Sequence, residues 1–343
     1  MKAQRVPDFS KLKVAVVGDL IADHWLHAQP TRLSREAPVM VLRHMSDSIG
    51  AGGAANVARN LRSLGAHVTL LGVVGRDNSG RELLRLLEGE GIDAVDVVSL
   101  GGWHTPTKTR VLAAEPRRNP HQVLRIDREP DGPVEAAVRE RLAERVRALK
   151  GHVDAVIVSD YAYGLVASEV ALACNELARE GTIVVLDPRT NVENFAGLTA
   201  ITPNIGELSR FTRIEERRLD DVRELRRAAH EMLSRAPPRW LLVTRGNLGM
   251  ALFGEGLPEE GVAVEASGSG EVTDVCGAGD TAAAVFALAL AAQVDAPQAM
   301  VLANAAAGVV VMEKGAAVCR PQELASALVS APAAVRLARA EFT

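Results

Sequence analysis

The chain has 343 residues, of which 48% are hydrophobic and 24% are charged. This composition is typical of a globular protein and excludes a disordered chain, and the length corresponds to one large domain or two ordinary ones. The chain has 39 Lys and Arg residues and 43 Asp and Glu residues, so it lacks the basic excess that is typical of proteins that bind nucleic acids or membranes. We therefore expect neither partner.

The termini and the cysteines indicate a cytoplasmic protein. Cys174, Cys276 and Cys319 are odd in number and form no CxxC pair, so neither a disulfide framework nor a zinc site is expected. The first residues lack the apolar segment of a signal peptide. The longest apolar run, 282–292, is too short to cross a bilayer, which takes about 20 residues.

Short β-branched runs alternate with amphipathic segments along the chain. The predicted strands are 14–18, 68–75, 155–160, 182–187, 198–204 and 240–246. The clearest predicted helices are 53–65, 79–89 and 280–292. This alternation predicts a mostly parallel sheet with helices on both faces.

Two extended segments, 38–45 and 105–127, interrupt this alternation. We interpret them as a small accessory sheet, formed by about 31–48 and 103–128, that projects from one domain over 11–330 as a lid. The second segment contains the turn-like sequence PRRNP at 116–120. The tail 331–343, rich in Ala and Arg, is predicted to be a solvated helix.

Asp19 and Asp23 follow the first predicted strand. Ligands of open α/β sheets bind at the carboxyl ends of the strands, and paired carboxylates there suit sugar hydroxyls. A helix cap or a solvated loop is the alternative interpretation. His24 and His27 lie nearby without a third metal ligand in the local sequence.

The glycine-rich segment 50–60 lacks the GxGxxG spacing of a dinucleotide site. Gly52 and Gly53 would let a small polyol approach the backbone, and the Asn56 amide can donate to and accept from hydroxyls. A simple glycine-rich helix entry remains the alternative.

Two later segments carry weaker signals. Asn204 and Glu207, just after a predicted strand, offer the oxygen ligands that Mg²⁺ or its bound waters prefer, although a helix-capping motif looks the same. The strand that contains Thr244 ends in Gly246 and Gly249, which could contact a nucleotide phosphate.

The sharpest motif is TDVCGAGDTAAA, at 273–284. Gly277, Ala278 and Gly279 lead into an apolar helix, so their amides can converge on an anion at its N-terminus. Asp280 then lies beside that anion, where it could accept a proton from an attacking hydroxyl. An aspartate that only caps the helix is the alternative.

Together these motifs resemble the ribokinase-like (PfkB-type) carbohydrate kinases, from Val14 to about Leu324. The resemblance implies a three-layer α/β/α fold with a small β lid, and ATP, Mg²⁺ and a monovalent cation (K⁺) as cofactors. It implies that Asp280 is the catalytic base and that the amides of Gly277, Ala278 and Gly279 form an anion hole. The remaining implied roles are Mg²⁺ for Asn204 and Glu207, the monovalent cation for Asp274, and the sugar for Asp19, Gly52, Gly53 and Asn56.

Within that family the chain is most similar to the D-glycero-D-manno-heptose-7-phosphate kinases, through SREAPVMV (34–41), TPTKTRVLA (105–113) and QVLRID (122–127). This implies ATP-dependent phosphorylation of the anomeric C1 hydroxyl of heptose 7-phosphate, by a homodimer. The basic residues of the lid, Lys108, Arg110 and Arg125, are candidates for binding the sugar phosphate. Other segments that run close to these kinases add Asp160 as a substrate residue and Arg189 and Asn304 as ATP residues.

Several departures leave other interpretations open. Tyr163 and Arg189 replace lysines of the heptose kinases, Glu313 replaces a glycine, and no HxGH motif of an adenylyltransferase is present, so a stand-alone kinase is expected. A ribokinase-like kinase for another sugar or a nucleoside (ribose, fructose or adenosine type) is the main alternative. A catalytically silent sugar or nucleotide sensor is opposed by Asp280, and an NAD-dependent oxidoreductase by the missing GxGxxG after 14–17.

Overall fold

The computed structural model describes residues 5–115, 118, 120–268 and 273–337. The strands of this part of the chain are β1 Lys13–Gly18, β2 Leu20–Leu33, β3 Met40–Gly53, β4 His67–Gly75, β5 Asp93–Leu100, β6 Thr107–Ala113, β7 His121–Arg128, β8 Ala155–Ser159, β9 Ile183–Asp187, β10 Ala200–Ile201, β11 Trp240–Thr244, β12 Met250–Gly254, β13 Val262–Val264 and β14 Val335–Arg336. The α-helices are α1 Ala54–Ser63, α2 Asn78–Gly89, α3 Ala136–Arg147, α4 Ser168–Arg179, α5 Ile205–Thr212, α6 Val222–Arg235, α7 Ala278–Ala291, α8 Ala296–Val310 and α9 Pro321–Val329.

The large sheet has the strand order β14-β13-β12-β11-β10-β9-β8-β1-β4-β5. The strands from β11 to β5 are parallel, whereas β12, β13 and β14 continue the sheet in antiparallel fashion. The first strand lies between β8 and β4, so the chain builds the sheet outward from β1 in both directions.

Helices cover both faces of this sheet, and each face has its own hydrophobic core. Val14 and Val16 of β1 pack into one core, and Ala15 and Val17 pack into the other, as expected for a strand buried on both sides. Helices α1, α2, α7, α8 and α9 contribute to the first core, and α3 to α6 contribute to the second. The predicted three-layer α/β/α fold is therefore confirmed. No helix in the described part of the chain is both long and apolar enough to cross a membrane.

A second, small sheet has the order β3-β2-β6-β7. It uses residues 20–53, a longer range than the predicted 31–48, because β2 begins only one residue after β1 ends. Strands β6 and β7 form an antiparallel pair on either side of the predicted PRRNP turn, of which Pro116, Arg117 and Asn119 lie outside the described residues.

The prediction of a C-terminal helix is wrong for the described part of the tail. Residues 331–337 are extended, and β14 pairs with the edge strand β13. Pro332 disfavours a helix here, and the open edge of β13 offers backbone partners instead. Leu337 is buried against the sheet at 5% exposure.

Candidate active site

The carboxyl ends of the parallel strands lead to a cavity of about 210 Å³. It lies at the carboxyl ends of β8, β9, β10 and β11, because Asp160, Asp187, Thr202 and Thr244 line it, and this edge is the usual ligand position in open α/β sheets. Its lining includes Asp160, Asp187, Asn204, Glu207, Thr244 and Asp280, together with Gly277 and Gly279. The structure thus brings together residues from four separate sequence motifs.

The turn at the start of α7 forms one wall of this cavity. Gly277 has a φ of 78°, and a Cβ there would lie 2.6 Å from Nδ2 of Asn56, so only glycine fits. The amide of Ala278 donates to the carbonyl of Val275 at 3.4 Å. Gly277 and Gly279 line the cavity at the N-terminus of a 14-residue helix, a position that favours an anion.

Asp280 lies in the first turn of α7 and is only 4% exposed. Its Oδ1 accepts a hydrogen bond from the Tyr161 hydroxyl, and its Oδ2 accepts one from Nδ2 of Asn56, both at 2.8 Å. Burial raises the pKa of Asp280 to about 6, against the lowering effect of these two hydrogen bonds. Such a carboxylate is ionised at neutral pH yet able to accept a proton, as a general base requires.

Asn56 occupies a different position from the one expected of a sugar ligand. It lies on α1 with 0% exposure, where it donates to Asp280, and its Oδ1 has no hydrogen-bond partner. Helices α1 and α7 are joined further by the Thr281 hydroxyl, which donates to Asn60. Asn56 therefore holds the carboxylate of Asp280 in place through this hydrogen bond.

Asp19 and Asp160 bind loop backbone. Oδ2 of Asp19 accepts from the amides of Tyr161 and Tyr163, and burial raises the pKa of Asp19 to about 7. The carboxylate of Asp160 accepts from the amides of Ala162 and Thr190 at 2.8 and 2.7 Å. Both aspartates fix the loops after β8 and β9, a role that the sequence did not reveal.

Asp23 and Arg110 form a buried ion pair at 2.5 Å. The Arg110 guanidinium also lies 4.8 Å from the Trp25 ring centre and 3.7 Å from Sγ of Cys276. The paired carboxylates predicted from Asp19 and Asp23 thus have separate partners. Gly52 and Gly53 end β3 beside them, and a Cβ on Gly53, at φ 58°, would lie 2.5 Å from the Asp19 carbonyl.

A second cavity, of about 520 Å³, adjoins the first. Lys108 and Arg125 of the small sheet line it together with Arg189, Tyr161 and Tyr163. Arg125 also pairs with Asp127 at 2.9 Å. Tyr161 and Arg189 line both cavities, so the two spaces are neighbours that meet at these side chains.

Asn204 and Glu207 form a capping box at the start of α5. Oδ1 of Asn204 accepts from the Glu207 amide, and Oε2 of Glu207 accepts from the Asn204 amide, both at 2.9 Å. Oε1 of Glu207 lies 3.3 Å from Arg189. The capping interpretation left open by the sequence is therefore confirmed, and it leaves little of either side chain for direct ligation.

The same cavity still suits a hydrated magnesium ion. Within residues 5–115, 118, 120–268 and 273–337, no three His, Cys, Asp or Glu side chains converge as metal ligands. However, Asp187, Asn204, Glu207 and Asp280 all present oxygen atoms around the space. Burial raises the pKa of Asp187 well above its ordinary value, and the charge of Glu207 adds to this, so a bound cation would relieve a concentration of acidic groups.

Asp274 fixes the segment before the anion turn. It accepts from the amides of Cys276 and Gly315 at 2.9 and 3.0 Å. Burial opposes its ionisation, but these hydrogen bonds prevail and lower the pKa of Asp274. Cys276 is half-buried, and burial raises the pKa of its thiol to about 11.

Some predicted nucleotide residues lie outside these two cavities. Gly246 and Gly249 shape the turn between β11 and β12, and Nδ2 of Asn304 donates to the Glu265 carbonyl at 2.8 Å. A separate cleft of about 820 Å³ runs beside Ala305 and Gly308 of α8 and along α9. The Asp274 amide donates to the carbonyl of Val311, which precedes Met312 in the lining of this cleft.

Two residues of the site were missed by the sequence interpretation. Tyr161 and Asp187 stand at the ends of β8 and β9, and the rule that places ligands at the carboxyl ends of strands would have selected both. The contact between Tyr161 and Asp280 spans 119 residues, so local pattern could not reveal it.

Comparison with known proteins agrees with this geometry. The sequence pattern of the pfkB family carbohydrate kinases matches residues 11–323. The Bifunctional protein HldE of Pelobacter propionicus is 36% identical over 326 residues, which cover 93% of this chain and 64% of that protein. The chain therefore spans less than two thirds of that relative's length.

Two solved structures illustrate the shared fold. Arabidopsis thaliana ribokinase, complexed with ribose and ATP, has a TM-score of 0.70 at 21% identity and covers 92% of this chain and 98% of its own. Phosphofructokinase-2 from Escherichia coli, in complex with potassium, has a TM-score of 0.72 at 16% identity, with 93% and 98% coverage. The predicted family is confirmed: this chain belongs to the pfkB family of carbohydrate kinases.

Proposed function

We propose that the protein transfers the γ-phosphoryl group of ATP to the anomeric C1 hydroxyl of D-glycero-D-manno-heptose 7-phosphate, giving the 1,7-bisphosphate. The observation that carries the proposal is the adjacency of two cavities that share Tyr161 and Arg189, one lined by Asp280 beside the anion turn and the other by Lys108, Arg125 and Arg189. A sugar that carries a phosphate at the end remote from its reacting hydroxyl fits this arrangement. The resemblance to heptose-7-phosphate kinases in the small sheet supports the same substrate.

Asp280 would accept the proton of the attacking hydroxyl during transfer. The two hydrogen bonds from Asn56 and Tyr161 hold its carboxylate in one orientation, which limits the reorganisation needed for proton transfer. The amides at Gly277 and Gly279 would stabilise charge on the transferring phosphoryl group, whereas the Ala278 amide already donates to the Val275 carbonyl. Magnesium, when bound, neutralises charge on the ATP phosphates; Asn204, Glu207 and Asp187 would hold it through water.

The phosphate of the sugar would be held in the 520 Å³ cavity. Lys108 and Arg125 come from adjacent strands of the small sheet, and Arg189 comes from the loop after β9. Charged donors of this kind suit a phosphate. Arg110 contributes differently: its ion pair with Asp23 fixes the inner part of the small sheet.

The adenine end of ATP would lie in the 820 Å³ cleft beside α8 and α9. The nucleotide candidates Thr244, Gly246, Gly249 and Asn304 would then act by shaping the surrounding loops. A monovalent cation would bind near Asp274, whose ionised carboxylate supports the turn; the potassium complex of phosphofructokinase-2 supports K⁺.

We also propose that the protein is a homodimer joined through the small sheets. Leu124 and Ile126 project from one face of β7 and are 53% and 54% exposed, and Met45 on β3 is 59% exposed. Exposed apolar side chains on the edge strands of an open sheet suit a dimer surface.

An ATP-consumption screen with product identification tests the proposed reaction. The acceptors are heptose 7-phosphate, sedoheptulose 7-phosphate, fructose, ribose and adenosine. The proposal expects the highest kcat/KM for heptose 7-phosphate and a product phosphorylated at C1. Preference for an unphosphorylated sugar would favour the second candidate function, a ribokinase-like kinase of another sugar, which the uncharged Tyr163 and the Asp127 carboxylate in the second cavity support. Absence of turnover with every acceptor would favour a sensor.

A further inference from the structure

Tyr161 holds one of the two oxygens of Asp280. Its hydroxyl donates to Oδ1 at 2.8 Å, while Asn56 donates to Oδ2 at the same distance. Each oxygen of the carboxylate therefore has one fixed donor on one side and remains free to accept a proton on another. Both donors are neutral side chains, so neither removes the negative charge that a base needs.

Tyr161 is itself held from three directions. Its amide donates to Asp19 at 2.8 Å, and the next residue, Ala162, has a left-handed φ of 66° and donates to Asp160. The ammonium of Lys108 lies 5.3 Å from the centre of the Tyr161 ring, within range of a cation–π contact. Burial raises the pKa of the Tyr161 phenol well above its ordinary value, with a further contribution from the charge of Asp280, so the hydroxyl stays a donor.

We propose that Tyr161 is a positioning residue that orients the carboxylate of Asp280 and links it, through Lys108, to the small sheet. The inference rests on the proposed function, because it assigns Tyr161 a role only if Asp280 is the base. Lys108 belongs to β6, so a phosphorylated substrate that engages Lys108 would also fix the Tyr161 ring and the hydrogen bond beneath it. The phosphate end of the substrate would in this way reinforce the geometry at the reacting hydroxyl.

The variant Tyr161→Phe removes the hydroxyl and keeps the ring under Lys108. The titratable groups that face Asp280 are Tyr161 after β8, Asp23 on β2, Lys108 on β6 and Asp187 on β9, and this variant changes only the first. A hydrogen bond from Tyr161 lowers the pKa of Asp280, so its loss raises that pKa. We expect the acidic limb of the kcat/KM profile to move up by about one pH unit and kcat at its plateau to fall.

The chain has 2 tyrosines, and the second provides a matched control. Tyr163→Phe removes a phenol two residues away. The acidic limb of the kcat/KM profile of this variant should stay at the wild-type pH, even if its KM changes. If Tyr161→Phe also leaves the pH of the acidic limb unchanged but raises KM for the sugar, the Tyr161 hydroxyl contacts substrate and the proposal is wrong.

A double-mutant cycle separates this inference from the proposed function. If Tyr161 acts only through Asp280, the double variant Tyr161→Phe/Asp280→Asn should be no slower than Asp280→Asn alone. A further loss of about tenfold or more would show an independent role and overturn the inference. Retained activity in Asp280→Asn alone would instead refute the proposed role of Asp280, and the inference with it.

Discussion

Replacement of Asp280 by asparagine should strongly slow phosphoryl transfer and at the same time stabilise the fold. Asparagine keeps the size and nearly the shape of the side chain, but its amide cannot accept the proton. General-base catalysis typically accelerates a reaction about 10²–10⁴-fold, so kcat should fall by about 10²-fold or more. ATP affinity should be unchanged or higher, because a negative charge near the γ-phosphate is removed.

The gain in stability follows from the pKa of this buried group. Burial raises the pKa of Asp280 from its ordinary value of 3.8 to about 6 in the folded protein, where it is 4% exposed. Between pH 3.8 and about pH 6, the Asp280 carboxyl is mostly protonated in the folded state and mostly ionised in the unfolded state. The free energy of unfolding therefore falls as the pH rises through this window, and the full penalty, about 3 kcal/mol, is present above it.

Asparagine avoids that penalty without leaving its neighbours unpaired. Oδ1 of Asn56 is buried and has no partner, so the Asn56 amide can turn and accept a hydrogen bond from the new amide. The Tyr161 hydroxyl can likewise either donate or accept. We therefore expect the free energy of unfolding of Asp280→Asn to exceed that of the wild type at pH 8 by up to about 3 kcal/mol, and the difference to vanish near pH 4.

Urea unfolding at pH 8 and pH 4, with single-turnover transfer measured beside it, checks both effects. Asp295→Asn is the matched control, because Asp295 caps α8 through the Gln298 amide and lies outside the site. Asparagine is nearly as good an N-cap, so this variant should keep both activity and stability. If Asp280→Asn behaves like the control, Asp280 only caps its helix and the reasoning is refuted.

Three further predictions concern the rest of the site. Potassium should stimulate turnover through the turn held by Asp274, and equal rates in sodium-only and potassium-only buffer would contradict this. Lys108→Met and Arg125→Met should each raise KM for the sugar phosphate about tenfold with little change in KM for ATP. The control Arg145→Met breaks an ion pair with Asp96 outside both cavities and should change neither KM. A wild-type KM in both lid variants would place the phosphate elsewhere. Cys276→Thr should retain activity, because the raised pKa of the half-buried thiol makes it a poor nucleophile, and complete loss would reveal a thiol function.

The layers of the fold and the family can both be predicted from the amino-acid sequence. Runs such as 14–18 and 155–160 lack polar alternation, and strands buried on both faces must lack it, so a parallel sheet between two helical layers could be predicted. Gly277 and Asp280 can also be predicted from the sequence, because their roles restrict the residue types in one short segment. A helix N-terminus that binds an anion needs small residues and a positive φ, and these demands appear in a short stretch of sequence.

The partner of each polar side chain depends instead on how the strands and helices pack. Asn56, Asp19 and Asp160 have the composition of ligand residues, yet the fold turns them toward Asp280 and toward the amides of two loops. The position of Tyr161 after a strand could mark it as a site residue, but not its contact with Asp280, which lies on a helix 119 residues away. Residue type limits which hydrogen bonds are possible, whereas the packing of strands and helices distant in the chain selects which of them form.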